Sequence, residues 1–114
     1  MCLDIVDEKT KQYKKGWKRS CKVNGKLYPP VMDTATVGQK HYPVNKWFKD
    51  TRKRPAMIRA NDGTPYPCGF HFYESNYDSH CWDTRKIKVR NVVASGWQGG
   101  LRVGVAREIF IIEE

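Results

Sequence analysis

Two apolar runs near the end of the chain constrain its fold more than any other feature. Ile87-Lys88-Val89-Arg90 alternates apolar and basic residues before giving way to Asn91-Val92-Val93-Ala94, and Leu101 to Ile112 closes on Ile109-Phe110-Ile111-Ile112. A period of two puts every second side chain on one face of an extended strand. The first run therefore reads as a strand with one wet face, the second as one or two strands entering a core. Between them, Ser95-Gly96-Trp97-Gln98-Gly99-Gly100 reads as a turn or flexible loop. A chain of 114 residues has room for one domain, 1–114, which excludes a two-domain enzyme.

The rest of the chain is punctuated more heavily. Cys2 to Val6 suits a short first strand cut off by Asp7-Glu8, and Asn24-Gly25, whose residues tolerate the positive φ of a type I′ turn, predicts a hairpin with Lys26-Leu27-Tyr28 as its return strand. From Val31 to Thr64 the periodicity weakens and long connections are expected, with one helical turn beginning at Trp47-Phe48. Asn61 to Pro67 reads as a turn followed by an extended approach to Gly69. Phe70-His71-Phe72-Tyr73 alternates like a half-buried strand, and Ser75-Asn76-Tyr77-Asp78 has the spacing of a helix start, predicting a short helix to about Trp82. The sum is an α+β fold: one small domain, mainly antiparallel sheet, with one or two short helices and long loops.

Charge is distributed unevenly. The chain carries 21 Lys and Arg against 12 Asp and Glu, a net charge of +9. All of the excess lies in residues 1–60, which hold fifteen bases and five acids. Such clustering suggests a partner with negative charge, most often phosphate. Two segments interleave the bases with aromatic rings: Tyr13, Lys14, Lys15, Trp17, Lys18 and Arg19, then Lys46, Trp47, Lys49, Arg52, Lys53 and Arg54. Cations hold phosphates while exposed rings stack on bases at ~1–3 kcal/mol each, so these residues are the candidate contacts to nucleic acid or a nucleotide. Trp97, in its glycine-rich setting, either packs on the body or stacks on a ligand. The bland alternative makes Trp17 and Trp47 core residues with lysine stems over their edges.

Other chemistry finds less footing. Cys68, His71, His80 and Cys81 could form a zinc site, but adjacent His80 and Cys81 cannot easily point at one ion, and the plainer reading has His71 on a strand face opposite Phe70 and Phe72. No cysteine sits in a nucleophile motif, and the available carboxylates have no geometry to argue from, so no catalytic residue and no cofactor is expected. Cys2, Cys21, Cys68 and Cys81 are read as reduced. No run approaches the ~20 apolar residues of a membrane span. The N-terminus shows no basic region ahead of an apolar one, which leads to the expectation of a soluble, cytoplasmic protein without a membrane partner.

Gly69 to Tyr73, the helix expected to end near Cys81-Trp82, Ile87 to Arg90, Ala94-Ser95-Gly96 and Val105 to Ile109 together resemble a group of small α+β proteins encoded by phages and mobile bacterial elements. The resemblance covers about residues 69–112. It implies a phage setting, a compact mixed sheet and the host cytoplasm as the compartment, and carries no activity or catalytic residues. Two functions follow as expectations: a non-enzymatic module binding nucleic acid or a phosphate-bearing ligand, or a phage effector that docks on and inhibits a host protein such as a nuclease or defence complex.

Overall fold

The computed structural model describes residues 3–23, 26–28, 43–49, 57–76 and 83–112. Among them are nine strands and no helix: β1 (Ile5–Val6), β2 (Lys15–Val23), β3 (Lys26–Tyr28), β4 (Trp47–Lys49), β5 (Met57–Arg59), β6 (Pro65–Pro67), β7 (Phe70–Tyr73), β8 (Asp83–Gln98) and β9 (Leu101–Ile111). The α+β expectation is corrected by this: the described fold is all-β. Trp47-Phe48 begins a strand, not a helical turn. Its side chains alternate, Phe48 reaching the core edge-on to Phe70 with ring centroids 5.5 Å apart while Trp47 meets Phe110 on the other side. Ser75 and Asn76 are not helical, and residues 77–82 of the expected helix lie outside the described set. No helix of the described residues is long and apolar enough to cross a membrane.

The frame is the hairpin of β8 and β9, paired from Ile87↔Ile111 to Gln98↔Leu101. Its connection is two residues long, Gly99 at φ 58° and Gly100 at φ 77°, the backbone of a type I′ turn that matches the twist of the flanking strands. The glycine-rich stretch expected as a loop is thus strand through Gln98. Asn91, at φ 57°, and a register shift between Val92 and Ala94 kink β8, which lets Val92 join Ile87 and Val89 in one cluster three residues further on. The other hairpin expectations hold: β2 and β3 pair as Cys21↔Tyr28, Lys22↔Leu27 and Val23↔Lys26 around residues 24–25, which are themselves outside the described set.

The pairings return to their starting point. β8 pairs with β2, β2 with β7, β7 with β9 and β9 with β8, so four antiparallel strands close into a ring, with β1, β3 and β4 attached to its strands. One cluster, Phe70, Phe72, Ile87, Val89, Val92, Ala106, Ile109 and Ile111, fills the ring, with Tyr13 and Phe48 packed against it. Phe72 is its keystone. The ring of this side chain lies where a Cβ on Gly16 of β2 or Gly104 of β9 would stand, and it meets Tyr13 edge-on at 5.3 Å.

A second cluster lies on the outer side, joining Tyr73, Ala94, Val103 and Val105 to Leu3, Ala60 and Tyr66 under the small β5–β6 hairpin. All four residues of β7 are consequently buried, where one wet face was expected. His71 sits on this outer side, opposite Phe70 and Phe72. There the backbone N–H of Leu3 donates to the Tyr66 hydroxyl at 2.9 Å, and that hydroxyl lies 3.0 Å from His71 Nε2. The N-terminal segment is fixed by charge as well. Arg102 donates to both oxygens of Asp7 at 3.0 and 2.7 Å, and Ser95 Oγ donates to Asp7 at 2.6 Å. The guanidinium bonds hold the Asp7 carboxyl below its ordinary pKa.

Candidate nucleic-acid interface

β8 carries Lys86, Lys88 and Arg90 at every second position, all exposed, because Ile87 and Val89 between them are drawn into the ring. Register then decides their neighbours. Lys88 stands opposite Lys15 of β2 on one side and Phe110 of β9 on the other, and Phe110 stands opposite Trp47 of β4. Directly paired residues share a face, so Lys15, Lys88, Phe110 and Trp47 form one row across four strands, about 14 Å wide at ~4.8 Å per strand. A second row, Arg90, Glu108 and Lys49, runs beside it.

The rows are tied together by side-chain contacts. The Arg90 guanidinium lies 3.8 Å from the centroid of the Trp47 ring and the Lys88 ammonium 5.3 Å from that of Phe110, while Trp47 and Phe110 meet at 5.6 Å and 64°. Cations over ring faces in this way are held by the ring quadrupole. Glu108, almost fully buried, anchors the second row, with Arg90 at 3.0 Å, Lys49 at 3.6 Å and the Asn91 amide donating to its other oxygen. Among the described residues this face sets five cations, Lys15, Lys49, Lys86, Lys88 and Arg90, against the single carboxylate of Glu108. It combines positive charge with two half-buried rings, the composition that tracks a phosphate backbone and offers π-surface to bases.

The residues singled out from sequence distribute unevenly over the fold. Lys15, Trp47 and Lys49 belong to the face. Lys14 is exposed beside it, its carbonyl accepting from the Val89 N–H at 2.9 Å, and Lys46 is exposed just before β4. Trp17 stands opposite Lys86 in register and is half-buried against the outer cluster. Lys18 is not on the face: it is 0% exposed, because β2 turns Gly16, Lys18 and Ser20 inward and residues 15, 17 and 19 outward. Arg19 stacks on Tyr73 at 4.3 Å, away from the face. Arg52, Lys53 and Arg54 lie outside the described residues. Trp97 is 42% exposed with Arg102 5.0 Å from its ring centroid, so its indole is neither core nor fully free.

For the metal alternative, His80 and Cys81 are outside the described residues, and His71 Nε2 is engaged with Tyr66. The described residues hold no group of three or more potential ligands. Lys86, Lys88, Arg90 and Phe110 were not singled out. Their signal was the alternation of bases on β8, which belongs to the half of the chain with no net positive charge.

No family model, curated protein or solved structure matches the chain. The functional reading therefore stands on geometry, and the likeness to phage-encoded proteins gains nothing from these comparisons.

Proposed function

We propose that the protein binds nucleic acid, non-enzymatically, through the face formed by β2, β8, β9 and β4. The observation that carries this reading is the row Lys15, Lys88, Phe110 and Trp47, flanked by Arg90 and Lys49, because alternating register puts cations and rings side by side on one surface. Phosphates would sit on the lysines and Arg90, with a base against the exposed part of Trp47 or Phe110. Single strands suit the face better than duplex, since their bases are free to meet a ring. The test is a titration of short fluorescent single-stranded DNA, single-stranded RNA and duplex at several salt concentrations, with the Lys88→Ala/Arg90→Ala variant alongside. Single strands are expected to bind at low salt, release steeply as salt rises, and lose at least tenfold in affinity with the double substitution. Absence of binding at low salt, or affinity indifferent to salt and to the substitutions, overturns the reading.

A further inference from the structure

Among the described residues, Glu108 is the one carboxylate on a face of five cations, and a negative charge there repels the phosphates that those cations attract. Its depth removes part of the conflict. The Glu108 side chain is 9% exposed, beneath Arg90 at 48% and Lys49 at 63%, so an arriving strand meets the cations and not the carboxylate. From that position Glu108 holds its neighbours in place. It pairs with Arg90 Nη2 at 3.0 Å and with Lys49 Nζ at 3.6 Å, and it accepts from the Asn91 amide.

Arg90 is the neighbour most constrained by this. From β8 it reaches over Glu108 of β9 to Trp47 of β4, where its guanidinium carbon stands 3.8 Å from the centroid of the indole ring. At that distance the flat guanidinium stacks on the ring face. Phe110 meets the same indole at 5.6 Å and 64°. With Trp47 contacted from both sides and Arg90 half exposed, a base arriving here meets the outer side of the guanidinium. Guanidinium planes stack on bases as aromatic rings do. A free arginine loses rotamer freedom when a base settles on it, whereas one tied to Glu108 and Trp47 has already lost it.

We propose that Arg90 is a stacking plate: a base of the bound strand lies on the outer side of the guanidinium with Trp47 beneath it, and Glu108 is the positioning residue that keeps the guanidinium there. This rests on the nucleic-acid reading and adds which group receives the base. Nη2 faces Glu108, and the remaining N–H groups stay available to a phosphate.

The probes are a fluorescent oligothymidylate of about ten nucleotides and an abasic strand with the same number of phosphates, titrated into the full chain at several salt concentrations. The parent is expected to bind the base-bearing strand about tenfold tighter than the abasic one. Arg90→Lys keeps the charge and loses the plane. It is expected to bring that ratio below about twofold while leaving the salt slope unchanged. Glu108→Gln removes a negative charge from the face, so a carboxylate acting by charge alone predicts tighter binding of both strands; as a positioning residue it is expected to lower the ratio about fourfold. Glu108→Asp, which keeps the charge but shortens the reach by one methylene, is expected to lower the ratio as well and stands in if Glu108→Gln fails to fold. In the Arg90→Lys background neither substitution is expected to lower the ratio further, whereas a merely structural role would lower it equally in both backgrounds. Equal binding of the two strands by the parent overturns this proposal and leaves the nucleic-acid reading standing; binding of neither at low salt overturns both. A base preference that survives Arg90→Lys removes the stacking plate, and one that survives both Glu108 substitutions removes the positioning role.

Discussion

Asp7 joins segments that stand 88 and 95 positions from it in the chain. Its two oxygens receive both forks of Arg102, and Ser95, which donates to it, in turn accepts the Lys11 backbone N–H at 2.9 Å. Bidentate charge-assisted bonds in a partly buried setting are among the stronger polar contacts, at ~1.5–3 kcal/mol for bonds to charged groups. Because Arg102 lowers the pKa of Asp7 in the folded state, the contribution is present above the ordinary carboxylate range and is lost as pH falls through the depressed value. Asp7→Asn is accordingly expected to cost about 1–3 kcal/mol near neutral pH and to approach the parent stability as pH falls through the depressed value. Urea denaturation across that range checks it; equal losses at both ends would show that the charge is irrelevant. Asp4, lowered by the Gly99 N–H and then by Asn61, keeps part of the acid sensitivity in the variant.

Among the elements, the long hairpin was half visible beforehand. Ile87 to Arg90 and Leu101 to Ile112 announce their strands by alternation, and Asn24-Gly25 announces the β2–β3 hairpin, since these are local signals. Ser95 to Gly100 misled because glycine is counted as a loop former, whereas here only Gly99 and Gly100 turn the chain. Gly96 is a strand residue where a Cβ would collide with the Ile5 backbone of β1, and Gly104 leaves room for Phe72. Such contacts are made between strands far apart in sequence, so no local pattern reveals them. The same holds for Lys18, whose inward direction follows from the ring and not from its own neighbours. Gly104→Ala is expected to destabilise by about 1–3 kcal/mol through overpacking against Phe72, and the added substitution Phe72→Leu to recover part of that loss. Additive losses in a denaturation cycle would mean that the ring and the glycine are not in contact.

For the whole molecule, counting charge along the chain and counting it across the sheet give different answers. The first half holds the excess of bases, yet three of the five cations on the proposed face, Lys86, Lys88 and Arg90, come from β8 in the second half. Linear composition raises nucleic acid as a candidate partner, but the surface is a product of register, which brings residues 15, 47, 88 and 110 into one line. If three to five of these cations neutralise phosphates, the plot of log affinity against log salt for single strands should have a slope of about −2 to −3.5. A slope near zero would mean that the rings alone hold the strand, and Lys88→Ala should make the slope shallower by about 0.7.

The closure of the ring is unequal around its circumference: β8 and β9 pair at ten positions, whereas β2 and β7 meet at the single pair Trp17↔Tyr73. A hoop opens at its thinnest joint. Breathing should therefore begin between β2 and β7, admitting water to the Phe72 side chain long before the β8–β9 hairpin parts. In deuterium exchange, the amides of Trp17 and Tyr73 should become labelled through sub-global opening, while those bonded between β8 and β9 wait for complete unfolding.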